Sequence, residues 1–258
     1  LSGPWKPPKL TRLFLGRAVQ DGAIFHGIIA GIFLTPNADS GDTPCAPLSE
    51  LLSKVITMAL SINKGSSALL VMDCQEGIVG ALPTTERQRL MPVLQRGMAA
   101  ARAAGVPVIH VVVGFREGHP EIGKTGWFKA VKEAGRMKIG SPEAQICKEV
   151  APQQGDVIVT KKRMSAFTGS DLQQVLYGRG ITTVVLTGVS SVGVVESTAR
   201  DAVDMDLDIV VLADGCADRD PVVNEAALKH LLPRIASVVN TEEFVAALGG
   251  AKQPATQA

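Results

Sequence analysis

The chain has 258 residues, 46% hydrophobic and 20% charged, the balance of a folded globular protein rather than a disordered one. A formal net charge of +1 supplies no basic field for nucleic acid or an anionic membrane surface, and 4% aromatic residues are too few for single-strand stacking platforms. That length suits one large α/β domain, with or without an appendage.

Residues 1–57 differ in pattern from the rest of the chain. Leu1 to Lys9 is rich in proline and glycine, and Pro36 to Pro47 is a second loop-forming cluster. Between them Ala23 to Leu34 is apolar but broken by Gly27 and Gly31, and too short to span a bilayer. Lys6, Lys9, Arg12 and Arg17 precede it, a faint transit-peptide pattern. Met58 stands just before the first strand signal, so 1–57 is expected to be an atypical extension, disordered or not native. The domain is then 58–250, with a tail at 251–258.

From Met58 onward the pattern is βα repeats. Ala68 to Met72 is a continuous apolar run, as expected of a strand buried on both faces. Thr84 or Thr85 is expected to cap a helix through Leu90, Val93, Leu94, Met98 and Ala101 that stops at Gly105. Val106 to Val113 is the second strand, and Gly114 to Gln145 is a connection long enough to be a lid or binding segment. Asp156 to Thr160 is the third strand, followed by a helix capped by Ser170. Thr182 to Leu186 is the fourth strand, with a helix over Val194 to Met205. Asp208 to Ala213 is the fifth, Pro221 to Leu232 is helical, and Ala236 to Val239 is the sixth. Thr241 is expected to cap a last helix to Leu248. Six strands alternating with helices predict an α/β fold, a three-layer αβα sandwich around a mostly parallel sheet.

Three strand ends carry chemistry. Asp73 closes the first strand, Lys161 follows the third, and a tight glycine turn, Gly188 to Gly193, follows the fourth. Each alone has a bland reading: a turn-capping aspartate, a solvated lysine, a turn needing glycine. Together they fall at the carboxyl edge of one sheet, where ligands bind in open α/β folds. Cys45, Cys74, Cys147 and Cys216 are scattered, with no metal-type spacing, which fits reduced thiols in the cytoplasm.

The stretch TGVSSVGVVESTAR, Thr187 to Arg200, resembles the nucleophile loop of the isochorismatase-like hydrolases, or cysteine hydrolase superfamily. Asp73 with Gln75, and Lys161 before Arg163, Ser165, Ala166 and Phe167, resemble two further motifs of that family, with Met164 where a tyrosine is usual. The resemblance covers about Ala68 to Leu248. It implies Asp73 as catalytic acid/base, Lys161 as charge stabiliser and a Rossmann-type fold. It also implies an oxyanion turn of Gly188, Val189, Ser190 and Gly193, with a cis peptide at Val189–Ser190. Gln75, Arg116, Trp127 and Phe128 are the expected substrate-binding residues. The position that holds the nucleophilic cysteine is Val194, which has no nucleophile.

Three mechanisms compete. Cys74 replaces the missing thiol only if it faces the site, whereas strand alternation turns it away from Asp73. A hydrolase of a small metabolite without a covalent step, like true isochorismatases, is the favoured reading. The alternative is a catalytically silent small-molecule binding protein. No cofactor and no metal are expected, since the Asp-x-His pair of metal-binding nicotinamidases has no counterpart beside His110 or His119. The resemblance also implies a homo-oligomer, with a small-molecule substrate and neither nucleic acid nor membrane as partner.

Overall fold

The computed structural model describes residue 60 and residues 62–249; the expected extension at 1–57 and tail at 251–258 lie outside the described residues. The apolar runs form the strands β1 (Ser67–Met72), β2 (Val108–Val113), β3 (Val157–Lys161), β4 (Thr183–Val189), β5 (Asp208–Ala217) and β6 (Ser237–Val239). They make one six-stranded sheet in the order β3-β2-β1-β4-β5-β6. Every neighbouring pair is parallel, so the mostly parallel expectation becomes wholly parallel.

Alternation in β1 explains the three layers. Leu69 and Val71 face α2 (Thr84–Ala103) and α7 (Thr241–Gly249), packing with Leu90, Leu94, Met98 and Phe244. A single short turn of helix, α1 (Glu76–Val79), leads from β1 toward α2. Ala68, Leu70 and Met72 face the opposite layer, α4 (Leu172–Gly178) and α5 (Glu196–Val203), with Leu172, Leu176, Ala199 and Ala202. Both faces are covered, which is why β1 is almost wholly apolar.

Several local expectations are corrected. No threonine side chain caps α2, whose first residue is Thr84 after Pro83. Asn240, not Thr241, caps α7: its Oδ1 accepts the Glu243 N–H at 2.9 Å while Glu243 Oε2 accepts the Asn240 N–H at 2.8 Å. Thr241 instead donates from both N–H and hydroxyl to Asp214. The helix expected from Val194 begins with a wide π-type turn, Ser191–Val195, before α5. The Pro221–Leu232 helix is α6 (Pro221–Ala226) followed by another wide turn, Ala227–Leu231. The long connection carries α3 (Lys129–Glu133) and is closed by bridges from Phe115 to Lys138 and from Gln75 to Ile146. No helix among the described residues is long and apolar enough to cross a membrane.

The strand order reverses direction between β1 and β4. Both carboxyl ends there, Met72 and Val189, lie at the same edge of the sheet.

Candidate active site

Asp73 leaves β1 with φ 54°, a left-handed conformation that aspartate tolerates better than most residues. Its N–H is held by the Val111 carbonyl at 2.8 Å, which fixes the turn. The side chain is buried, with Oδ2 2.8 Å from Lys161 Nζ. Its other oxygen, Oδ1, is also buried and has no hydrogen-bond partner among the described residues. Burial raises the Asp73 pKa above the ordinary carboxylate value, and the Lys161 charge only partly opposes it.

Lys161 is the last residue of β3 and is almost wholly buried. Besides the Asp73 contact, its ammonium donates to the carbonyls of Arg163 at 2.9 Å and Met164 at 2.8 Å. An ammonium has three hydrogens, so all are engaged. Lys161 is therefore spent on the Asp73 carboxylate and two carbonyls, with no hydrogen left over for direct donation.

Cys74 faces away, but not through strand alternation: the left-handed turn at Asp73 breaks the alternation and puts Cys74 on the face of Leu69 and Val71 rather than that of Met72. It packs in the core beneath α2, and burial pushes its thiol well above the usual value. Gln75 departs from expectation: it is fully buried and spent on the backbone. Its Oε1 accepts the Val113 N–H at 2.9 Å, and Nε2 donates to the carbonyls of Val113 and Ala144. It ties the end of β2 to the returning loop and leaves nothing for a substrate.

The β4 turn is built as its sequence demands. Gly188 has φ 138°, and a Cβ there would meet the Met72 carbonyl oxygen at 2.1 Å, so only glycine fits. The Val189–Ser190 peptide is cis. Ser190 Oγ accepts the Gly193 N–H at 3.1 Å. Val194 is 2% exposed and packs in the core with Val195, Ala166 and Ala199. The Ala166 N–H donates to Thr198 Oγ1 at 2.9 Å, joining the segment after Lys161 to α5.

A cavity of about 120 Å³ opens beside the Asp73–Lys161 pair. Asp73, Lys161, Trp127 and Phe128 line it, together with Ile78, Val113, Phe115, Val131, Met137 and Met164. Trp127 and Phe128 meet edge to face, with ring centroids 5.1 Å apart. Val194, Gly188, Val189, Ser190 and Gly193 are not among the lining residues, and neither is Arg116. Arg116 is largely exposed and pairs with Glu121 at 2.9 Å. Arg136, Arg163 and Arg219 also line the cavity, and sequence reasoning misses all three as binding residues. Arg163 lies inside the motif that carries Lys161, so its position is readable; Arg136 and Arg219 give no local signal. His110 pairs with Asp156 at 3.3 Å inside the sheet layer, and His119 contacts the Arg136 carbonyl at 2.7 Å. Among the described residues no group of three or more histidine, cysteine, aspartate or glutamate side chains is placed to hold a metal ion.

The isochorismatase domain, as a family profile, matches residues 67–243. The uncharacterized isochorismatase family protein YecD of Escherichia coli O157:H7 is 32% identical, covering 73% of this chain and 100% of its own length. Ureidoacrylate amidohydrolase RutB of Pseudomonas syringae pv. syringae B728a is 30% identical, covering 76% of this chain and 89% of its own. A cysteine hydrolase crystal structure from Pseudomonas syringae pv. phaseolicola 1448A superposes with a TM-score of 0.68 at 25% identity, covering 74% of this chain and 95% of that one.

Proposed function

Because the chain belongs to the isochorismatase family, we propose that it hydrolyses a small metabolite without a cysteine nucleophile. Asp73 moves the proton, Lys161 stabilises the charge, and Val194 occupies the nucleophile position. The observation that carries this reading is the buried Asp73–Lys161 pair at 2.8 Å, whose free Oδ1 belongs to a residue lining the cavity. The Asp73 carboxylate accepts a proton from water as the water oxygen bonds to the electrophilic carbon. The resulting acid returns that proton to the leaving nitrogen or oxygen as its bond to carbon breaks. Burial favours the protonated form needed in the second half. For an enol ether the order is reversed, with protonation of carbon first and water addition after.

A relative acts on ureidoacrylate by its name, an amide-type substrate, so amides, esters and enol ethers are the classes to screen. With full-length protein, turnover is expected to survive thiol alkylation, and Asp73→Asn should lower kcat by at least about 100-fold. Loss of activity on modifying Cys74 would transfer the chemistry to that thiol. The same reading includes a cytoplasmic homo-oligomer, supported by the free, buried thiols of Cys74, Cys147 and Cys216 among the described residues and by the exposure of Trp127 beside the cavity.

One observation favours a second reading. The Val194 side chain is packed into the core and does not line the cavity, so the nucleophile position is filled rather than open. A binding protein that has lost the reaction fits this, and small acids that bind without turnover across all three classes would establish it.

A further inference from the structure

The charges around the cavity do not balance. Its lining carries one acid, Asp73, against Lys161, Arg136, Arg163 and Arg219. Lys161 is neutralised by Asp73, and Arg136 by Glu143 at 3.2 Å. Neither Arg163 nor Arg219 has a carboxylate within ion-pair distance among the described residues.

Arg163 is also held in a defined pose. Its NH1 donates to the Lys162 carbonyl at 2.6 Å and its NH2 to the Glu121 carbonyl at 2.8 Å. The guanidinium lies 5.4 Å from the centroid of Phe128. Backbone carbonyls and a ring face fix a guanidinium without cancelling its charge, and two of its five N–H groups are used, leaving three. Around it the walls are apolar or aromatic: Phe115, Trp127, Phe128 and Met164.

We propose that Arg163, assisted by Arg219, selects the ligand of this cavity, and that the ligand is a small, flat carboxylate whose body lies against Phe128. The carboxylate meets the free edge of the Arg163 fork, and its charge offsets the surplus of the lining. This rests on the cavity being the substrate site. It leaves open whether the bound acid is hydrolysed, so the two claims fail separately.

The test uses three probes of one shape and three charges: benzoate, benzamide and benzamidinium, titrated calorimetrically into the full-length protein. Benzoate is expected to bind at least about tenfold more tightly than benzamide, with benzamidinium weakest, because a hydrogen bond to a charged group exceeds one to a neutral group by about this factor. Arg163→Met should weaken benzoate by about tenfold or more and benzamide by less than about twofold. Arg163→Lys, which keeps the charge and loses the fork, should fall between. Arg219→Met, at an exposed residue, keeps the test decisive if Arg163→Met fails to fold, and should weaken benzoate severalfold. Equal affinity for benzoate and benzamide, benzoate affinity untouched by both Arg163→Lys and Arg219→Met, or no binding of benzoate would each overturn the proposal. Asp73→Asn separates the readings. Benzoate binding that persists in that variant, while hydrolysis is absent in both proteins, would defeat the hydrolase reading and leave the anion site standing.

Discussion

Replacing Lys161 by methionine removes a buried cation of similar length and leaves Asp73 alone. The Lys161 and Asp73 side chains are 2% and 9% exposed, so solvent cannot replace the lost partner. The carbonyls of Arg163 and Met164 lose their donor at the same time. Breaking a buried pair from one side costs about 3–5 kcal/mol, which for a domain of this size lowers Tm by roughly 6–20 °C. The loss depends on pH with a defined sign. Asp73 already has a raised pKa in the fold, and Lys161 is the group that restrains it. Without Lys161 the folded protein holds that proton to still higher pH than the unfolded chain does, so stability falls as pH rises through the interval. The deficit of Lys161→Met is therefore smallest on the acid side and widens with rising pH until Asp73 ionises in the folded variant. Urea unfolding at a series of pH values, followed by circular dichroism, measures it. The double variant Asp73→Asn/Lys161→Met has no unpaired charge and should recover at least half of the loss. A deficit below about 1 kcal/mol, or one that does not change with pH, would refute the interdependence of the two residues.

Other parts of the site and sheet give further expected outcomes. Cys147 and Cys216 have thiols pushed up to about 12 by burial, and burial raises the Cys74 thiol well above its usual value. In the native protein at pH 8 all three should alkylate on the order of 1000-fold more slowly than free cysteine, read by peptide mass mapping. Val194→Cys should change stability by less than about 1.5 kcal/mol, being nearly isosteric, and its thiol, in the wide turn that leads into α5, should alkylate faster than those three. A rate no greater than theirs would place position 194 away from any reactive opening. Gly188→Ala drives a methyl into the Met72 carbonyl at a φ of 138° and should cost several kcal/mol, on the order of 3 or more, seen as a thermal shift of roughly 10 °C. His110 has its pKa lowered by burial, against the pull of Asp156, while Arg102 beside them disfavours a second cation. Its neutral form is favoured by the fold, so stability should fall as pH drops below about 6.5, by up to about 1.4 kcal/mol per pH unit. His110→Asn should flatten that slope, and an unchanged slope would assign it to other groups.

Short-range patterns are sufficient for the strands and for the edge on which the chemistry sits. A run such as Ala68 to Met72, covered on both faces as a strand, delivers its next residue, Asp73, to the carboxyl edge. The φ of 138° at Gly188 likewise calls for glycine on local backbone grounds. These are consequences of backbone geometry within a few residues, so the sequence contains them. The partners of those residues are a different matter. Lys161 reaches Asp73 across the end of β2, because β3 and β1 are not neighbours in the sheet, and only the strand order sets that span. Gln75 has the sequence context of a substrate-binding residue, yet the loop returning at Ala144 claims its amide. Arg136, Arg163 and Arg219 come from three separate connections and converge on one cavity, while Arg116 pairs with Glu121 outside its lining. Convergence of this kind depends on how long loops fold over the sheet edge, and that is decided by tertiary packing, for which no local periodicity exists.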